Sequence, residues 1–267
     1  MKYDGIVLFS DLDGTLLDPQ RNLSPENVRA VSHFVKEGGR FGVATGRMER
    51  TTLIKFPELP INTPSIFFNG ALVYDTLKDS QLFSMFIPEG LEPIFQDILE
   101  GYPDIGLEIN TPGRAYIIRN HEIIGIQLAR EGLLGIESPW EGVPSKWYKV
   151  IFVGEHETLM KVKADMDSLK RTDINVMFSE AELLDVMARN VSKGMALAHQ
   201  MEVNRAEWKK VFVVGDNDND YEMIKTAHVG IAVSNARPGV KEAARHVIHH
   251  HSVPCIPQVL EIIDSYL

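Results

Sequence analysis

Two carboxylates stand two residues apart in Ser10-Asp11-Leu12-Asp13-Gly14-Thr15, directly after the apolar run Gly5-Ile6-Val7-Leu8-Phe9. That run reads as a buried strand. Acidic groups at the carboxyl end of such a strand lie where open α/β sheets bind ligands. Their mutual repulsion calls for a cation, and Gly14 lets the chain turn sharply after them. A second acidic cluster, Asp216-Asn217-Asp218-Asn219-Asp220, follows the apolar run Val211-Phe212-Val213-Val214 and Gly215. The competing reading of the first motif is an ordinary Asp/Gly turn. The competing reading of the second is a calcium loop. That fails, because with Asp216 as first ligand the sixth and twelfth positions hold Tyr221 and Ala227 rather than Gly and Glu.

Between the two clusters lie Thr45-Gly46-Arg47 and Ser192-Lys193-Gly194. Each is placed by the pattern at the start of a helix, where free N–H groups and the dipole favour a phosphate. Thr45 adds a hydroxyl and Lys193 a compact positive charge. A cap threonine and a surface lysine are the plainer readings of each alone. The four carboxylates Asp11, Asp13, Asp216 and Asp220 cannot stay ionised together without counter-charges. A divalent hard cation and Lys193 offset three of them. Mg2+ fits, since one or two carboxylates plus phosphate oxygens and water suffice to bind it. A protonated Asp13 removes the fourth charge, and a protonated carboxyl is what a general acid must be.

The elements that must position these groups alternate. Strand-like runs at 5–10, 40–44, 65–68, 211–214 and 229–233 are separated by helical stretches, the first opened by Ser24-Pro25. This is the pattern of a doubly wound parallel sheet, an α/β fold. From about residue 80 to 190 the strand-like runs show more exposed alternation. We therefore expect a core of 1–79 and 191–267 with an inserted α/β domain over 80–190. His249-His250-His251 reads as a solvated loop, and Cys255 as a buried, inert thiol.

Composition narrows the partners. With 27 basic and 37 acidic residues the formal charge is −10, which argues against nucleic acid but not against a small anion met by a local positive pocket. A single cysteine excludes an internal disulfide and fits a cytoplasmic location. No apolar run nears the ~20 residues of a membrane helix, and Met1-Lys2-Tyr3-Asp4 leads into a strand without a signal-peptide pattern.

Taken in order, Asp11-Leu12-Asp13-Gly14-Thr15, Ala44-Thr45-Gly46-Arg47, Lys193-Gly194 and Gly215-Asp216-Asn217-Asp218-Asn219-Asp220 resemble the four motifs of the haloacid dehalogenase-like hydrolases. Phe68-Asn69-Gly70-Ala71 and Ser234-Asn235-Ala236 resemble its Cof-type phosphatase branch. The resemblance implies a Rossmann-like core with a large inserted cap. It implies Asp11 as nucleophile and Mg2+ ligand, and Asp13 as general acid/base that also gives its carbonyl to the metal. Thr45, Gly46, Lys193 and Asn219 would hold phosphate. Asp216 would be the second side-chain ligand, with Asp220 supporting the metal or Lys193. Where the family often ends in an Asp-Gly-Val-rich stretch, this chain has His249-His250-His251-Ser252-Val253-Pro254. The implied activity is hydrolysis of a small phosphorylated metabolite, a sugar phosphate or similar, through a phosphoryl-aspartate. The alternatives are a phosphosugar mutase and a non-catalytic phosphate-binding protein. Arg47 and Arg189, close to motif residues, are candidate substrate contacts.

Overall fold

The computed structural model describes residues 1–132 and 134–267. In chain order its strands and helices are β1 Ile6–Ser10, α1 Pro25–Lys36, β2 Arg40–Val43, α2 Glu49–Lys55, β3 Ser65–Phe67, β4 Leu72–Asp75 and β5 Ser80–Ser84. There follow α3 Glu92–Gly101, β6 Gly106–Thr111, β7 Arg114–Arg119, α4 Glu122–Glu131, β8 Ile136–Glu137, β9 Lys149–Val153, α5 His156–Ser168, β10 Ile174–Glu180 and β11 Leu183–Ala188. The last are α6 Lys193–Val203, β12 Lys210–Gly215, α7 Tyr221–Thr226, β13 Val229–Val233, α8 Pro238–Ala243, β14 His246–Ile248 and α9 Cys255–Asp264.

The chain divides into two compact units, one of Met1–Arg47, Phe56–Phe83 and Ser192–Leu267, the other of Met48–Lys55 and Ser84–Val191. The short helix α2 thus groups with the second unit, although its sequence position lies inside 1–79.

The first unit is built on a five-stranded sheet in the order β14-β13-β12-β1-β2. Every pairing in it is parallel. This is the doubly wound arrangement expected from the alternation of strands and helices. The order also explains the apolar runs: β1 and β13 are buried at every residue, as strands covered on both faces must be. Helix α1 is started by Ser24, whose hydroxyl accepts from Asn27 N–H, and packs against α9. The expected thiol Cys255 is buried at the start of α9, and burial pushes it up to about 12. The smaller sheet β3-β4-β5 completes this unit. Its last strand begins at Ser80.

The second unit carries a six-stranded sheet in the order β10-β11-β9-β6-β7-β8. It is antiparallel apart from β7–β8. One face is apolar: Leu107, Ile109, Val150, Phe152, Leu184 and Val186 pack with Phe95 of α3 and with Leu159 and Val162 of α5. Trp147 belongs to this core and Tyr116 and Trp140 pack against it, which gives those aromatics a packing role. No helix among the described residues is long and apolar enough to cross a membrane.

Candidate active site

The first unit brings the acidic motifs together because parallel strands end on one side. Asp11 follows β1, and its N–H donates to Val214 O of β12 at 3.0 Å. Asp216 follows β12, and Thr45 follows β2 by two residues. Ala44 N–H donates to Ser10 O at 2.9 Å and Thr45 N–H to Ile66 O at 2.9 Å, so the Thr45 loop is stitched between β1 and β3.

Lys193 lies at the centre. Its side chain is fully buried, and Nζ donates to Asp11 Oδ1 and to Asp220 Oδ1, both at 2.7 Å. Ser192 caps α6 by accepting from Met195 N–H at 3.0 Å, which fixes the turn from which Lys193 projects. Asp220 spends its other oxygen on the backbone, accepting from Asp216 N–H at 2.9 Å and Asn217 N–H at 3.1 Å. Asp216 Oδ1 accepts from Thr15 Oγ1 at 3.0 Å.

Gly14 permits the close approach of Asp216. It has φ +81°, and a Cβ there would stand 2.5 Å from Asp216 Oδ2. Only a residue without a side chain fits. The same turn is held from behind. Asn235 Nδ2 donates to Gly14 O at 2.8 Å, and His251 N–H donates to Asn235 Oδ1 at 3.0 Å. His251 Nδ1 meets Leu17 O at 2.8 Å. Of the expected solvated loop, His249 and His250 are exposed, whereas His251 is half-buried and braces the first acidic motif.

The charge distribution differs from the expectation in one respect. Asp13, the carboxyl expected to carry the proton, is held below the usual carboxylate range. Burial pushes it up, but the Arg47 guanidinium outweighs burial. Arg47 Nε and Nη2 each donate to an Asp13 oxygen at 2.6 Å, and Arg21 Nη1 lies 3.6 Å from Oδ1. The strained charge sits elsewhere. Burial and the neighbouring Asp220 push Asp216 up to about 6. Burial pushes Asp11 well above the usual range, against the pull of Lys193 and with the push of Asp220 and Asp216. Burial pulls Lys193 down, but Asp11 and Asp220 together carry it higher than an ordinary lysine. One lysine cannot neutralise three carboxylates, so the cluster keeps a surplus of negative charge.

That surplus fits a hard cation. Asp11, Asp216 and Asp220 each offer one carboxylate oxygen, and these atoms lie within 4.8 Å of one another. An all-oxygen donor set of this kind suits Mg2+.

Asn219 Nδ2 donates to Asn69 Oδ1 at 2.9 Å. Asn69 is in turn tied to the Thr45 loop, its N–H donating to Thr45 O at 3.0 Å. Arg189 belongs to the second unit, where its N–H donates to Asp173 O at 2.9 Å. Sequence reading passed over Thr15, Arg21 and the role of Asn69. The available signal for Asn69 was its Asn-Gly turn directly after a buried strand.

The chain matches the family model of the haloacid dehalogenase-like hydrolases over residues 8–260. The chain belongs to that family. It is 24% identical over 274 residues to the pyridoxal phosphate phosphatase YbhA of Escherichia coli, covering 95% of this chain and 97% of the relative. It is 25% identical over 241 residues to the HMP-PP phosphatase of Serratia proteamaculans, covering 86% and 84% of the two chains. A haloacid dehalogenase-like hydrolase from Bacteroides thetaiotaomicron shares the fold, with a TM-score of 0.88, 21% identity, and 96% and 98% of the two chains covered. The expected enzyme class, a phosphatase of this superfamily, is thereby met.

Proposed function

We propose that the chain is a Mg2+-dependent phosphatase that hydrolyses a small phosphorylated metabolite through a phosphoryl-aspartate on Asp11. The observation that carries this is the buried Lys193 bridging Asp11 and Asp220 at 2.7 Å each, beside a third carboxylate, Asp216. Two relatives support the substrate class, since one is named for pyridoxal phosphate and the other for HMP-PP, both small phosphate esters. Their difference is also why the substrate is proposed only as a class, a sugar phosphate or similar.

Asp11, Asp216 and the carbonyl of Asp13 would hold Mg2+, with Asp220 in support. When bound, the ion supplies charge neutralisation that lets a phosphate dianion approach a carboxylate. The chain's own groups do the rest. Lys193 holds Asp11 Oδ1, leaving Oδ2 to form the new bond to phosphorus while the bond to the leaving alcohol oxygen breaks. Thr45, Gly46, Lys193 and Asn219 bind the transferring oxygens, where charge spreads in the transition state. Asp13 gives a proton to the leaving oxygen and later takes one from the water that attacks phosphorus, which returns Asp11 as a carboxylate. In the structure both Asp13 oxygens are engaged by Arg47, so this pair must open before Asp13 can exchange a proton. The second unit, 80–190 in sequence terms, is the proposed cap that meets the leaving group, as specificity is commonly carried outside the catalytic scaffold.

The intermediate is open to direct capture. Acid quenching during turnover, followed by borohydride reduction, should convert Asp11 to homoserine in the peptide that spans β1 and its acidic turn. Asp11→Asn should show no such product and should lose more than ~10,000-fold in kcat. Turnover with Asp11 never modified, in wild-type enzyme quenched at several times, would establish direct attack by water instead.

A further inference from the structure

Three successive residues after β3 have left-handed backbone: Phe68 at φ +48°, Asn69 at +53° and Gly70 at +108°. Glycine adopts this region freely and asparagine tolerates it, but a phenylalanine there is an outlier. Such conformations cost free energy, and persist where surrounding contacts over-determine them. Here the contacts run to one place. Phe68 N–H donates to Arg47 O at 3.2 Å and Asn69 N–H to Thr45 O at 3.0 Å, so the strained turn is fastened to the two carbonyls that flank Gly46.

The Asn69 side chain completes the arrangement. Its amide lies over Gly46, where an added Cβ would stand 3.0 Å from Oδ1 and 3.3 Å from Nδ2. Oδ1 accepts from Asn219 Nδ2 at 2.9 Å. Among the described residues Asn219 Oδ1 is buried without a hydrogen-bond partner, so the contact with Asn69 fixes the rotation of the Asn219 amide. One N–H of that amide is used by Asn69, and the direction of the other follows from it.

We propose that Asn69 is a positioning residue of the phosphate cradle: it sets the spacing between the Thr45-Gly46 loop and Asn219. The inference rests on the function proposed above. Thr45 and Asn219 come from opposite halves of the core sequence, and among the hydrogen bonds of the described residues none joins them directly. Asn69 bridges them with a backbone N–H on one side and a carbonyl oxygen on the other. A cradle of fixed width discriminates between a tetrahedral phosphate and the five-coordinate phosphorus of in-line transfer, because the equatorial oxygens move as the geometry flattens.

Orthovanadate adopts five-coordinate geometry and inorganic phosphate does not, so the pair reads out cradle width. Binding of each is measured by calorimetry on the Mg2+-loaded protein. Asn69→Gly keeps the backbone accessible and removes the amide. It should leave the melting temperature near that of wild type, weaken vanadate at least tenfold and weaken phosphate less than threefold. Adding Asn219→Ala to Asn69→Gly should cost less than a further twofold in vanadate, since Asn219 is already unanchored. Asn69→Asp tolerates the same backbone and keeps an oxygen for Asn219. It should weaken both anions by one common factor through its charge. Equal weakening of both anions in Asn69→Gly, or full additivity with Asn219→Ala, would overturn the proposal. So would a changed vanadate-to-phosphate ratio in Asn69→Asp. A wild-type protein that binds neither anion would remove the proposed function itself, which separates the two failures.

Discussion

Among the described residues a buried lysine meets buried aspartate in each unit, and the two arrangements differ in the elements that carry them. In the first unit Lys193 meets two carboxylates, Asp11 and Asp220, with Asp216 beside them. In the second, Lys149 of β9 meets Asp185 of β11 at 3.2 Å. Asp185 and Glu108 both face Ile151 across the sheet, and Glu108 accepts from Asn110 Nδ2 at 2.8 Å. The second arrangement lies on regular strands, on the face opposite the apolar core. The first lies on the loops after parallel strands, with backbone N–H groups and a glycine shaped to bring carboxylates close. Charge buried on regular strands is a structural arrangement. An unmatched cluster on strand-end loops stores repulsion that only a ligand relieves. The placement of the carboxylates on strand-end loops therefore marks the site better than burial does, since both lysines are buried.

The contrast predicts opposite signatures for the two lysines. Lys193→Ala should lower kcat by about 100- to 1,000-fold, the scale of losing one preorganised donor to the transferring group. Lys149→Met should act on stability, at about 3–5 kcal/mol for stranding one partner of a buried pair, and the double variant Lys149→Met/Asp185→Leu should recover most of it. Its turnover of p-nitrophenyl phosphate should stay within about threefold of wild type, since no reacting group is touched. Steady-state kinetics and urea melts on all three decide this. A folded Lys149→Met protein with collapsed turnover would erase the distinction between the two pairs.

Next in size is the response to pH and Mg2+. Asp216 has its carboxyl pushed up to about 6, against about 3.9 in an unfolded chain. Below both values it is protonated in either state and contributes nothing. Between them the unfolded chain releases the proton while the folded chain keeps it. Stability therefore falls as pH rises from ~4 to ~6, and the full cost remains above that. Asp11, also pushed up, acts in the same direction. Mg2+ replaces the missing protons, so it should raise the melting temperature more at pH 7.5 than at pH 5. A stabilisation that is equal at both, or larger at pH 5, would show that the carboxylate cluster is not where the ion binds. EDTA should abolish turnover and Mg2+ restore it.

The parts of this site that were legible in the sequence are those encoded locally. Asp11, Thr45 and Asp216 were each readable as strand-end residues because an apolar run and its terminating loop are neighbours in the chain. The parallel sheet followed from the same local alternation. What remained hidden depends on partners distant in sequence. Asp13 was assigned a proton by counting charges, because nothing near it reveals that Arg47, 34 residues on, grips both its oxygens. The Asn69–Asn219 contact spans 150 residues. Helix α9 carries two prolines, Pro254 and Pro257, at its start. Pro254 is its N-cap and Pro257 lies in its first turn, where proline is tolerated.

The smallest expected effect tests whether the unmatched cluster is tuned from outside its carboxylates. Thr15 is 1% exposed and its hydroxyl, a neutral donor, reaches Asp216 Oδ1 at 3.0 Å. This donor favours the ionised form of Asp216 and fixes the direction of the carboxylate, as outer partners of metal ligands do. Thr15→Val keeps the shape and removes the donor. The carboxylate loses one bond worth about 1 kcal/mol, which corresponds to roughly a fivefold weaker apparent Mg2+ affinity. Fold and saturated kcat should be little changed, because Thr15 touches neither Lys193 nor Asp11 among the hydrogen bonds of the site. A Mg2+ titration of turnover gives the affinity, and the metal-free melting temperature gives the stability. If Thr15→Val leaves the Mg2+ midpoint where it was but lowers saturated kcat, the hydroxyl acts on the phosphate rather than on Asp216. The cluster would then be set by its carboxylates and Lys193 alone.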